Sequence, residues 1–202
     1  MGTAEQELAL IERVEALFFR YGIKSLTMDD VANNLGISKK TLYQMVESKD
    51  DLVLRVLTHH IAGRKTQCLC MSSEASNAIE EIFNVLAYNS QELGKMKTNI
   101  VNDLQKYHRE AWLMIRKFHN EFVLQLVRQN MMRGRQEGLY RDNFDVDIIA
   151  RLHLAAAFLL FDEELFPESS TQRVGLFKEF MMHFLHGIVS PKGLTYLKKK
   201  LD

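Results

Sequence analysis

The sequence predicts an all-α protein of about nine helices, and three observations carry that reading. Only two prolines occur in 202 residues, Pro167 and Pro191, so no ring interrupts a helix over the first 166 positions. Apolar side chains recur at gaps of three and four along most of the chain, the period of an amphipathic helix. The breaks in that pattern fall at Gly or at Ser, Thr and Asp, the residues that end and begin helices.

The first helix is predicted over 8–21, with Leu10, Ile11, Val14, Leu17, Phe18 and Tyr21 on one stripe and Gly22 as its stop. Thr27 with Asp30 makes a capping-box-like pair that opens a short second helix. Gly36 marks a turn, Ser38 starts a third helix, and Ser48 with Asp51 repeats the capping pattern before a longer helix to about Cys70. The small polar run Ser72, Ser73, Glu74, Ala75, Ser76, Asn77 reads as a loop. Further helices are predicted over 78–93 (Ile79, Ile82, Phe83 and Leu86 on one side), over 97–105, and over 109–136 with Trp112, Ile115, Phe118, Phe122 and Leu126 in register. Gly138 breaks the last of these. Asp145 opens a helix to about Leu165, Pro167 ends that segment, and a final helix covers 171–187 with Val174, Phe177, Met181, Phe184 and Leu185 inward. The chain shows neither internal repeats nor low-complexity segments.

Hydrophobic residues at 47% and charged residues at 26% give the balance of a globular protein. No window approaches 18 consecutive apolar residues, so no membrane span is expected. The first residues lack a basic stretch followed by an apolar run, so no secretory signal is expected. Cys68 and Cys70, two apart on a helix, point to different faces and cannot bridge locally. Two free thiols fit a reducing cytoplasm, and they read as incidental rather than as a redox pair.

Residues 27–45 carry the most information. Two helices crossing at a tight turn need a small residue where they touch, a turn residue that tolerates positive φ, and an apolar anchor beneath the second helix. Ala32, Gly36 and Leu42 supply these, with Val31, Leu35 and Ile37 completing a small core. With Leu42 buried, Lys39, Lys40, Thr41, Tyr43 and Gln44 face outward. Gln pairs bidentately with adenine, Lys reaches guanine, and Thr and Tyr donate to phosphates. Charge complicates this reading. Residues 1–57 hold seven Lys and Arg against nine Asp and Glu, a net of −2, which argues against a uniformly basic DNA-binding domain. Over 36–49, however, Lys39, Lys40 and Lys49 face Glu47 alone, a local basic patch.

The run Gly36-Ile37-Ser38-Lys39-Lys40-Thr41-Leu42-Tyr43, followed by Ser48-Lys49-Asp50-Asp51-Leu52, resembles the signature of the tetracycline-repressor (TetR) family. Phe18-Phe19-Arg20-Tyr21-Gly22 and Leu26-Thr27-Met28-Asp29-Asp30-Val31-Ala32 fit the same pattern, so the resemblance is dense over residues 10–57. One departure stands out: Met45 and Val46 occupy positions where the family often has His-Phe or Tyr-Phe. The resemblance implies a three-helix helix-turn-helix DNA-binding domain over 1–57 and a helical effector-binding and dimerisation domain over 58–202. Matching positions make Thr27, Ser38, Lys39, Lys40, Thr41, Tyr43, Gln44 and Lys49 the candidates for contact with double-stranded operator DNA.

The resemblance further implies a bacterial homodimer that represses transcription from a palindromic operator and is released by a small effector. A lone helix-turn-helix buries little surface, which independently favours pairing of two modules. The interface is expected on the last two helices, through Leu152, Ala156, Leu159, Phe177, Phe180 and Phe184. Pocket candidates are Phe83, Tyr88, Tyr107, Trp112, Phe118, His119 and Phe122, and their aromatic character suits an apolar or aromatic effector. Adjacent His59 and His60, and His183 with His186, lack a third ligand of matching spacing, so neither a metal nor a cofactor is expected. No nucleophile–base spacing or phosphate loop appears, so an enzyme is not expected.

Overall fold

The structure, a computed structural model, describes residues 3–97, 99–167 and 172–201. It is helical, with no named β-strand among the described residues, and counts ten helices when 109–136 is taken as one rod. No helix of the described residues is long and apolar enough to cross a membrane. The chain divides into two compact units.

The first unit comprises Met1–Lys65 and Lys95–Lys117. It holds α1 (Thr3–Tyr21), α2 (Met28–Leu35), α3 (Lys39–Met45), the start of α4 (Lys49–Glu74), α6 (Ile100–Tyr107) and α7 (Arg109–Lys117). Val14 and Phe18 of α1 pack with Val31, Leu35, Leu42, Leu52 and Val53, and Ile100, Leu104 and Ala111 join the same core. Burial of these side chains drives the assembly, at about 1.5–3 kcal/mol for each large one. Hydrogen bonds fix α6 in place: buried Asp103 accepts from the Lys24 amide at 2.9 Å, and the Lys97 amide donates to the Phe19 carbonyl at 2.9 Å. Tyr21 leaves the predicted α1 stripe and stays 39% exposed, with the Arg20 guanidinium 5.2 Å from its ring centre.

The second unit comprises Thr66–Gly94 and Phe118–Asp202. It holds the rest of α4, α5 (Ala78–Lys95), a π-helical turn (Phe118–Val123), α8 (Leu124–Gln136), α9 (Val146–Leu159), α10 (Arg173–Ile188) and α11 (Pro191–Leu201). One apolar cluster joins Ala78, Ile79, Leu139, Tyr140, Leu185, Ile188 and Leu197. A second joins Leu124, Met131, Ala150 and Leu154. The buried Asn130 amide and Tyr140 hydroxyl both donate to the Ala78 carbonyl, at 2.9 and 3.1 Å. Burial leaves no polar group of this trio without a partner, as the cost of desolvation demands.

Several boundaries differ from expectation. α4 runs through Ser72 and Ser73 to Glu74 instead of ending near Cys70. A side chain of α8 braces that end, since Arg133 donates to the carbonyl of Ser72 in the last turn and of Ala75 just beyond it, at 3.4 and 2.8 Å. α6 starts and ends later than the predicted 97–105. The rod over 109–136 changes register at its π-helical turn. α9 stops at Leu159, short of the predicted Leu165, because the Asp162 carboxylate accepts from the amides of Glu164 and Leu165 and holds a turn there. The expected start of the next helix at 171 lies outside the described residues, and α10 is seen from Arg173. α11 was not anticipated at all.

Candidate nucleic-acid interface

α2 begins because Thr27 caps it. Its hydroxyl accepts from the Asp30 amide at 3.1 Å while the Asp30 carboxylate accepts from the Thr27 amide at 2.9 Å. The hydroxyl and amide of Thr27 hold the Asp30 carboxyl below its ordinary pKa. α2 ends at Gly36, whose φ of +72° is a left-handed conformation that costs a glycine little. The Ile37 amide then bonds back to the Ala32 carbonyl at 3.1 Å, closing the turn on its small residue. Ser38 caps α3 by accepting from the Thr41 amide at 3.0 Å, and its hydroxyl also meets the Thr41 hydroxyl at 2.7 Å. Beneath, Leu42 is fully buried and Val46 nearly so.

That anchor turns the rest of α3 outward. Lys39, Lys40, Thr41, Tyr43 and Gln44 are all exposed, as are Thr27 and Ser38. Lys40 makes no ion pair among the described residues, whereas the Lys39 ammonium is 2.8 Å from the Asp29 carboxylate. Hydrogen bonding to Asp29, then its charge, raises the Lys39 pKa above the ordinary value. Lys49 is half-buried and donates to the Leu26 carbonyl at 2.6 Å, next to the cap of α2. Burial pulls its pKa down, with the charges of Asp103, Asp50 and Asp30 opposing. The structure thus gathers the eight DNA-contact candidates on α3, at the entry of α2 and at the start of α4, within one unit.

Sequence reasoning did not find Asp29 as a partner of the recognition helix. The relation spans ten residues across a turn and no local spacing announces it. Nor did it find that His108, after α6, sits 2.5 Å from the Asp50 carboxylate at the head of α4. His59 and His60 share one partner: Glu15 lies 2.6 Å from His60 Nδ1 and 3.3 Å from His59 Nδ1, tying α4 to α1.

The seven pocket candidates fall into both units. Tyr107 and Trp112 belong to the first, and Tyr107 is 51% exposed with its hydroxyl accepting from Lys24 at 2.9 Å. Phe83, Tyr88, Phe118, His119 and Phe122 belong to the second. Phe118, His119 and Phe122 all sit on the π-helical turn, where Phe118 stacks on Phe122 at 5.6 Å and His119 meets Phe158 of α9 at 4.9 Å. Phe83 packs against the cluster around Leu185. Of the interface candidates, Leu152 and Leu159 are more than half exposed, while Ala156, Phe177, Phe180 and Phe184 are half-buried.

A cationic, polar helix face standing on a buried leucine, with a capped helix crossing behind it, defines a helix-turn-helix DNA-binding transcription regulator. Comparison with known proteins narrows the class. The profile of bacterial regulatory proteins of the tetR family matches residues 10–56. YvaF, an HTH-type transcriptional regulator of Bacillus subtilis (strain 168), is 31% identical over 144 residues, which is 69% of this chain and 73% of the relative. The chain belongs to the TetR family, whose members are DNA-binding transcription regulators rather than enzymes. The transcriptional repressor KstR2 of Mycobacterium tuberculosis is 20% identical over 145 residues, 70% of this chain and 72% of the relative. A transcriptional regulator from Saccharomonospora viridis, solved in complex with choline, shares the fold at a TM-score of 0.76 and 16% identity, covering 93% of this chain and 100% of that one.

Proposed function

We propose that the chain acts in the cytoplasm as a homodimeric repressor of a palindromic operator and is released by a small effector. The carrying observation is the outward ridge of Lys39, Lys40, Thr41, Tyr43 and Gln44 over buried Leu42. Residues 1–57 read DNA in this proposal, and residues 58–202 sense the effector and pair the subunits. Dimerisation is supported by α9, whose Ile148, Leu152 and Leu159 are 56%, 59% and 51% exposed. Apolar patches of that kind on a single chain usually mark an interface. Two α3 helices, one per subunit, would then enter successive major grooves.

Lys49 beside the entry of α2 and the hydroxyl of Thr27 favour a phosphate contact there, where amides and helix dipole both attract anions. The aromatic π-helical turn and the choline complex of a structural relative support a small organic effector. Such a ligand needs only to bind one separation of the reading heads better than the other.

The test is retardation of the gene's own promoter fragment, with affinity measured across a range of salt. Specific binding that falls steeply with salt is expected, and Lys40→Ala with Tyr43→Ala should weaken it severely while helix content is retained. Unchanged affinity in that double variant would instead make the helix-turn-helix a docking surface for protein.

A further inference from the structure

Residues 1–57 carry a net charge of −2, and most of their nine carboxylates serve the fold. Asp30 caps α2, Asp51 accepts from the Glu47 amide and Arg55, Asp50 meets His108, Glu7 meets Arg55, and Glu15 meets two histidines. Asp29 differs. It lies in the first turn of α2 and 58% of its side chain is exposed, yet both its oxygens approach the Lys39 ammonium of α3, at 2.8 and 3.1 Å. No other ion pair involves either residue among the described residues.

We propose that Asp29 is a specificity-determining residue of the reading surface, which withholds the Lys39 ammonium from the phosphates of arbitrary DNA. This rests on the reading that α3 meets the duplex. Lys39 and Asp29 together are neutral, so Lys39 brings no net charge to a random sequence. A phosphate there offers the ammonium only a second anion in exchange for the first, and it leaves a carboxylate uncompensated beside a polyanion. The exchange gains little, and few counterions are released. A base edge with paired acceptors, such as guanine O6 and N7, offers Lys39 two bonds whose strength depends on the sequence, as a phosphate's does not. The ion pair therefore lowers affinity for arbitrary DNA more than for a matching site. Lys40, next on the helix and without such a partner, remains the general phosphate contact. The effect is small, because an exposed pair changes an equilibrium by about fivefold at most.

The experiment measures binding of the full-length protein to a random-sequence duplex by fluorescence anisotropy from 50 to 200 mM salt, roughly the range over which phosphate contacts declare themselves. Asp29→Asn should tighten binding about two- to fivefold and steepen the log–log salt slope by about 0.9, the increment for one phosphate contact. In a Lys39→Ala background the same substitution should gain less and leave the salt slope nearly unchanged, because it relieves repulsion but frees no cation. A gain and a slope change as large as in the parent, without Lys39, overturn the proposal, because they report removal of a charge and not release of a lysine. An unchanged affinity for Asp29→Asn, with Lys40→Ala still weakening binding, also overturns it and leaves the DNA reading intact. If neither Lys39→Ala nor Lys40→Ala alters DNA affinity, the reading itself fails. Melting curves check each fold, and Asp29→Ser, which keeps a helix-starting residue, replaces Asp29→Asn should that variant not fold.

Discussion

The ammonium of Lys49, at the head of α4, donates to the carbonyl of Leu26 at 2.6 Å, one residue before the Thr27 cap. The bond joins the helix that leaves the reading head to the helix that enters it. Lys49 therefore serves the fold. Lys49→Met keeps the apolar stem but deletes the donor, and should lower the melting temperature by about 2–4 °C, the equivalent of roughly 1 kcal/mol. DNA affinity should fall as well, with the salt slope reduced by about 0.9. Calorimetry and anisotropy on the same preparation separate the roles: a weaker complex at unchanged stability would remove the structural one.

On α9, Ile148, Leu152 and Leu159 follow one another at gaps of four and seven, the repeat of a single helix face. More than half of each side chain is open in the single chain. If two copies cover this face, Leu152→Glu buries a charge without a partner, which an interface tolerates poorly. Sedimentation should then show monomers at concentrations where the parent protein is a dimer. Operator affinity should drop on the order of tenfold or more, since one head alone holds few contacts. A Leu152→Glu protein that still sediments as a dimer would place the interface elsewhere.

Much of this was legible because it is written locally. Thr27 with Asp30, Gly36, and Ser38 ahead of Thr41 are backbone requirements met by neighbouring residues, so the turn and both its helices could be read before the fold was known. Leu42 followed from its spacing to Ala32 and Gly36. What escaped depends on partners distant in the chain. The end of α4 is set by Arg133, some sixty residues on, where the sequence shows only small polar residues suited to a loop. The pairing of Asp29 with Lys39 and of His108 with Asp50 needs helices already crossed. The π-helical turn has no cue in Phe118–Val123, because the apolar spacing of the sequence does not record which carbonyl each amide reaches. The helices predicted from the sequence stop at 187 and do not reach α11, where Pro191 stands at the first helical position and so marks a start.

His153 of α9 is enclosed by aromatic rings, with Phe184 at 3.9 Å and Phe180 at 4.7 Å between ring centres. Its Nδ1 has no hydrogen-bond partner among the described residues, and burial pushes its pKa down from 6.5 to about 4. In the unfolded chain the imidazole keeps its ordinary value. Between the two values the unfolded state binds the extra proton, so folding loses stability as pH falls from about 6.5 toward 4. Above that window the contribution is complete. Melting temperatures across it, at fixed protein concentration, should decline in the parent and decline less in His153→Phe. Equal slopes in both would mean that another group sets the acid limit.

Gly193 shows how α11 is seated. A Cβ there would collide with the Leu139 carbonyl oxygen, an atom fixed because it accepts from the Ser190 amide at 2.9 Å. The Ser190 hydroxyl donates to the Gly138 carbonyl at 2.7 Å and accepts from the Gly193 amide at 3.0 Å, so the start of α11 is bound to the 138–139 segment from both sides. Backbone cannot yield as a side chain would. Gly193→Ala must lift α11 and loosen Leu197, which is fully buried beneath it. The cost should be about 1–3 kcal/mol, as for other overpacked sites, or roughly 2–10 °C in melting temperature. Gly187→Ala is the internal control. It too lies in a helix, none of the described residues offers a clash within 4 Å of its added Cβ, and the gain in helix propensity should leave stability equal or higher. If Gly193→Ala proves as benign as Gly187→Ala, α11 is not held against Leu139, and its close approach would not be what closes the second unit.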